Sequence, residues 1–282
     1  MKSGWMVVAG FMFALMGVFV KLGARHFSAA ELVFYRSLIG LAAVYGSVRW
    51  QRLSLATPHL RMHVSRGLAG FFALMLFFYA LTALPLATAI TLNYTSPLFL
   101  ALLLIFTLRE RPAWWLIAAL VLGFVGVVLL LNPRFEGTAF LPRLLGLASG
   151  FFAGVAYLNV RQLGALGEPE WRVVFYFTLV CTVGAAIWMG FTGIRLPGVA
   201  DLPLLLGLGA TATLGQLAMT RAWKRGHPLV VGSLAYSTVV FASLLGLMLW
   251  NEVLPPASWL AILLIALSGA WASRAGQAKA MG

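Results

Sequence analysis

The sequence predicts an all-α integral membrane fold of ten transmembrane helices, built as two inverted five-helix repeats. Three observations carry that expectation. Of the 282 residues, 62% are hydrophobic and only 10% are charged, against about 25% charged in an ordinary soluble domain. The apolar residues gather in ten runs separated by short polar segments. A stretch of the first half then recurs, recognisably, in the second.

The runs fall at 5–21, 31–48, 67–83, 86–108, 113–131, 144–160, 172–192, 203–221, 229–249 and 257–273. A hydrocarbon core roughly 30 Å thick takes about 20 mainly apolar residues per helical crossing, so ten crossings use about 200 residues and leave the rest for loops. Helix is the only workable conformation, because lipid offers no partner to free backbone groups and the runs lack the alternation of barrel strands. The first run follows Lys2 and has the length of a signal peptide, but no small-residue cleavage site follows it, so it reads as the first span. Pro, Gly and charge mark the breaks: Ala83-Leu84-Pro85 closes the third run, Arg109-Glu110-Arg111-Pro112 the fourth and Asn132-Pro133-Arg134 the fifth. Leu196-Pro197-Gly198 follows the seventh and Pro255-Pro256 the ninth. The lone Cys181 lies within the seventh run, so no intrachain disulfide and no cysteine metal cluster is expected.

A net charge of +13 raises the question of a nucleic-acid partner, but the basic residues sit in separate short loops rather than on one face, and a topological role explains them better. With the N-terminus in the cytoplasm, that side collects Lys2, Arg49, Arg52, Arg61, Arg66, Arg109, Arg111, Arg161, Arg172, Arg221, Lys224, Arg225, Arg274 and Lys279. The other side holds Lys21, Arg25, Arg134, Arg143 and Arg195. That asymmetry puts both termini in the cytoplasm.

Residues 80–111, ALTALPLATAITLNYTSPLFLALLLIFTLRER, lie over residues 222–253, AWKRGHPLVVGSLAYSTVVFASLLGLMLWNEV, pairing Tyr94 with Tyr236, Phe99 with Phe241 and Glu110 with Glu252. A weaker echo sets Glu31 and Phe34-Tyr35 against Glu170 and Phe175-Tyr176. The halves therefore run over 1–133 and 142–274. Five spans is an odd number, so the second half enters the membrane from the opposite side. Two halves of one shape and opposite direction can exchange conformations around a midplane site, which is what alternating-access transport requires; a duplication kept only as a scaffold is the alternative.

The stretch LPLATAITLNYTSPLFLALLLIFTLRER, with Pro97 thirteen residues before Glu110, resembles the signature of the drug/metabolite transporter superfamily, EamA-type. Its echo ending in Trp250-Asn251-Glu252 and the ten-span count match as well, over essentially the whole chain. The resemblance implies that spans 1, 3, 4, 6, 8 and 9 surround a central cavity, as in members that export amino acids. Val239 stands where Pro97 stands in the first half, so the two copies should not bend alike.

No Asp, Glu or His falls in the middle of a run, which leaves no obvious intramembrane proton relay and no buried catalytic group, so the chain reads as no enzyme. His59 and His63, beside Arg61 and Arg66 in a cytoplasmic loop, lack a third ligand and read as ordinary loop histidines rather than a metal site. Arg36 is the one basic residue read as inside a span, and it either snorkels to the outer interface or attracts a carboxylate at an outer vestibule. Candidate substrate contacts are Asn93 and Tyr94 in the fourth span, Tyr236 and Ser237 in the ninth, Tyr79 in the third, Tyr157 and Asn159 in the sixth and Gln216 in the eighth. For each, interhelical packing is the alternative. Asn93 and Gln216 rank first, because an amide in hydrocarbon needs a partner or a wet cavity. Pro97, mid-span, supplies a free carbonyl or a gating bend. Gly146, Gly150 and Gly154, and Gly207, Thr211 and Gly215, form small-residue stripes for close helix contact. Glu110 and Glu252, at related span ends, suit pairing or capping.

A cavity rich in Tyr and amide groups without fixed charge fits a zwitterionic or moderately apolar metabolite and disfavours a phosphate ester. The expectation is a secondary transporter of the inner membrane, exporting amino acids or related compounds, with a small-molecule substrate and the lipid bilayer as its partners. No nucleic-acid partner and no cofactor are expected, and monomer or homodimer is left open. An uptake permease for a nucleoside derivative or vitamin is the second reading, and a membrane enzyme or scaffold comes from another class.

Overall fold

The computed structural model describes residues 4–96, 98–100, 140–225 and 237–278, together with isolated positions between them. Its elements are α1 (Trp5–Gly23), α2 (Ala29–Trp50), α3 (Leu60–Ala83), α4 (Leu86–Asn93), α5 (Phe140–Ala165), α6 (Glu170–Thr192), α7 (Leu202–Arg225), α8 (Ser237–Trp250) and α9 (Pro256–Ala278), with one short 3-10 turn at Val199–Asp201. No strand occurs among the described residues. Pro97, Glu110, Tyr236 and most of the fifth predicted span lie outside them.

Six of these segments are long and apolar enough to cross a membrane, and α8 and α9 contain shorter apolar helices. Large apolar side chains such as Leu68, Phe72, Val183, Ile187, Leu244 and Leu263 are exposed along their outer faces. In water such a surface would aggregate; in a bilayer it meets lipid at no cost.

Local chemistry sets the helix ends. Ser28 and Glu31 form a capping box at the start of α2, each side chain bonding the other's backbone N–H, which satisfies two otherwise free donors. α3 stops at Leu84, which is extended because Pro85 follows it. α6 ends at Gly193, whose φ of 95° is a conformation other residues resist.

The halves interleave rather than sit side by side. α1 packs on α7, α3 on α5 and α2 on α6; α4 contacts both α5 and α8, and α1 contacts α8. Small residues allow the close approaches. A Cβ on Gly207 or Gly215 would collide with the Phe19 or Phe13 ring of α1, and one on Gly154 would stand 3.0 Å from the Ser96 carbonyl.

Candidate functional site

A cavity of about 70 Å³ lies between the halves, room for on the order of five waters. Its wall takes Phe13 and Met16 from α1, Ala73 and Phe77 from α3, Ile90 and Asn93 from α4, Ala153 and Tyr157 from α5, Gln216 and Met219 from α7 and Thr238 from α8. These are the six spans expected around a cavity. Two more side chains enter from behind, Arg36 of α2 and Phe177 of α6, and Arg66 of α3 completes the group.

Of the predicted contacts, the fold brings Asn93, Tyr94, Tyr157 and Gln216 to the cavity. Asn93 Nδ2 donates to Ser149 Oγ at 3.0 Å, tying α4 to α5, and Tyr94 Oη accepts from Thr238 Oγ1 at 2.9 Å. The Gln216 side chain makes no hydrogen bond to another described residue, although Gln216 is 5% exposed, so its amide is left to whatever fills the cavity. Asn159 turns away to the Val155 carbonyl and Ser65 Oγ. Ser237 packs on Gly10 of α1 while its neighbour Thr238 faces the cavity, one residue and so about 100° around the helix. Tyr79 is 42% exposed on the outer face of α3 and does not line the cavity.

The basic residues depart furthest from expectation. Arg36 is 2% exposed: covered by neighbouring helices, it does not snorkel to an interface, and its guanidinium lies 5.5 Å from the Phe177 ring centroid. Arg66, placed by hydropathy in a loop, sits in the second turn of α3, is also 2% exposed and stacks 3.7 Å from the same ring. Gly70, one turn on, leaves the room into which Arg66 and Phe177 fold; a Cβ there would strike both. The cavity therefore carries two fixed positive charges, contrary to the uncharged cavity that composition implied.

Polar contacts join the halves at each end of the bundle. At one end Glu252, after α8, pairs with Lys21 of α1 and accepts from the Leu86 backbone N–H at 2.7 Å. At the other, Glu168 accepts from Thr57 Oγ1 at 2.5 Å and Arg172 Nη1 at 2.9 Å, His63 Nε2 approaches to 3.5 Å, and Lys224 Nζ donates to the Glu168 carbonyl at 3.0 Å. His63 is thus a buried helical residue, not a loop histidine. Burial pushes the Glu168 carboxyl up, but the hydrogen bonds from Thr57 and Arg172 and the charges of Arg172 and His63 outweigh it and hold the group below the usual carboxylate range. A depressed carboxylate pKa stabilises the folded state above the unfolded value and loses that contribution as pH falls through the folded one. The melting temperature in detergent is accordingly expected to fall as pH drops below the ordinary carboxylate range, and Glu168→Gln should flatten that slope. Identical slopes for both proteins would exclude Glu168 as the titrating group.

The EamA-like transporter family model matches residues 2–132 and matches again over residues 141–274. The chain belongs to that family. Among its relatives, the pseudopaline exporter CntI of Pseudomonas aeruginosa is 33% identical over 258 residues, covering 90% of this chain and 89% of the exporter. An S-adenosylmethionine uptake transporter of Rickettsia bellii is 26% identical, covering 88% and 85%. A solved crystal structure shares the fold at a TM-score of 0.68 with 21% identity, covering 99% of both chains. As an EamA-like protein the chain is a multi-pass membrane transporter of small molecules, which places it in a transporter family rather than an enzyme family.

Proposed function

We propose that this transporter works by alternating access and exports amino acids or related small metabolites across the cytoplasmic membrane, with both termini inside. The observation that carries the reading is the cavity, walled by both halves, with a polar latch joining one half to the other at each end of the bundle. Opening either latch alone exposes the cavity to one side.

Two features support the inverted repeat of 1–133 and 142–274. The family model matches each half separately. The helix pairs are also mutually exchangeable: α1 on α7 corresponds to α5 on α3, and α1 on α8 to α5 on α4. The positive-inside asymmetry assigns the Lys21 end to the outside and the Glu168 end to the cytoplasm. Export follows the 33% identical exporter rather than the 26% identical uptake relatives.

Asn93, Tyr94, Tyr157 and Gln216 are the proposed substrate contacts. Counterflow in proteoliposomes loaded with unlabelled amino acids tests this. Entry of the labelled compound is expected in the wild type, with Asn93→Ala and Gln216→Ala each lowering the rate about tenfold, as loss of one hydrogen bond to a polar or charged partner implies. Equal rates in both variants would remove these residues from the site. Oriented vesicles that move substrate only toward the cytoplasmic side would replace export with uptake.

A further inference from the structure

We infer that Arg36 and Arg66 form a carboxylate receptor, and that the cargo is a small net-anionic metabolite bearing two carboxylates, one for each guanidinium. The inference rests on the transport reading and names its substrate class.

Both arginines are 2% exposed and both line the cavity. Nε and Nη1 of each lack any hydrogen-bond partner, and neither residue makes an ion pair with a described residue. A guanidinium carries five donors in a rigid fork, stays charged in proteins and matches a carboxylate edge to edge. Leaving two such forks empty, side by side in the interior of a membrane protein, is costly, and the usual compensation is a nearby acid. Four of the described acidic residues are spent elsewhere: Glu31 caps α2 and accepts from the Arg195 N–H, Glu168 and Glu252 bond across the halves at the two ends, and Asp201 caps its own turn; the fifth, Glu170, stands at the start of α6 and does not line the cavity. The Phe177 ring, shared by both guanidiniums, fixes their planes without neutralising either.

Among the described residues no acid supplies the compensating charge, and we assign it to the cargo. An ordinary zwitterionic amino acid fits poorly, since its single carboxylate leaves one of the two guanidiniums unpaired. Two carboxylates satisfy both forks, while the amides of Asn93 and Gln216 and the hydroxyls of Tyr157 and Thr238 take remaining polar groups. Apolar Phe13, Met16, Phe77 and Met219 accommodate a short carbon chain.

Charge isosteres test this on the unmodified protein. Purified transporter is heated with three- to six-carbon dicarboxylates, glutamate, glutamine or inorganic phosphate at matched ionic strength, and labelled glutamate and glutamine are compared in counterflow. Dicarboxylates, glutamate among them, are expected to raise the melting temperature, and glutamine and phosphate not to. Arg36→Gln and Arg66→Gln should raise the half-saturating dicarboxylate concentration at least tenfold, with Arg36→Lys recovering only part of it. Glutamine acting as well as glutamate, no shift with any dicarboxylate, or phosphate alone acting would each overturn the carboxylate receptor. Transport of neutral amino acids at rates indifferent to both arginines would sink the receptor and keep the transporter. Selective dicarboxylate binding without counterflow would keep the receptor and sink the transport reading.

Discussion

Gly150→Val is expected to cost about 3 kcal/mol of stability, the upper part of the range for overpacking a close-packed interior. At Gly150 a Cβ would stand 2.7 Å from the Leu92 carbonyl oxygen and 3.2 Å from that of Asn93, and closer still to Thr95 Oγ1. Two of those atoms belong to the backbone and cannot rotate away. α4 and α5 must separate, and the 3.0 Å bond from Asn93 to Ser149 lies on the seam that opens. Gly190→Val is the matched control, because a Cβ there meets nothing within 4 Å. Thermal unfolding in detergent should show a large loss for the first substitution and little change for the second. Equal behaviour would mean that α5 does not approach α4 as closely as described.

Glu252→Ala should release the Lys21 end of the bundle. The Glu252 carboxylate accepts from the Leu86 N–H at the start of α4 and pairs with Lys21, so removing it orphans a buried helix-terminal donor and a half-buried ammonium together. The Glu252 and Lys21 side chains are only 17% and 15% exposed, so solvent replaces little of what is lost. About 2 kcal/mol is expected, which shifts a two-state equilibrium roughly 30-fold toward the conformer open at that end. Cys181 is the sole cysteine, so Thr238→Cys in a Cys181→Ala background gives one reporter in the cavity. Its labelling by an impermeant maleimide from the Lys21 side should quicken by about that factor. Lys21→Met, which leaves the Leu86 N–H its acceptor, should do less. Unchanged labelling in Glu252→Ala would show that the contact is no latch.

His63 and Arg66 were misplaced for one reason. Hydropathy sees a span end where charge begins, whereas the helix continues: α3 starts at Leu60, well before its apolar run, and so carries His63 and Arg66 into the bundle. The available signal was Gly70 four residues after Arg66, a gap on the same helix face able to receive a large side chain. Ser237 and Thr238 differ by one position, and no periodicity in a helix apolar all round says which of them faces inward.

What the sequence alone determined was the all-helical membrane fold, because lipid imposes length and polarity on every crossing whatever its neighbours are; the family and the six cavity-lining spans came from the resemblance of its helix-four stretch to the EamA-type signature. Asn93, Tyr94, Tyr157 and Gln216 stood out in the sequence as polar groups that hydrocarbon does not tolerate alone, and the structure sets them on the cavity wall. Only the tertiary structure turned Arg36 and Arg66, 30 positions apart on different helices, onto one ring of a third. That convergence depends on how α2, α3 and α6 are rotated about their own axes, and rotation is fixed by contacts between helices rather than by the hydropathy of any one of them.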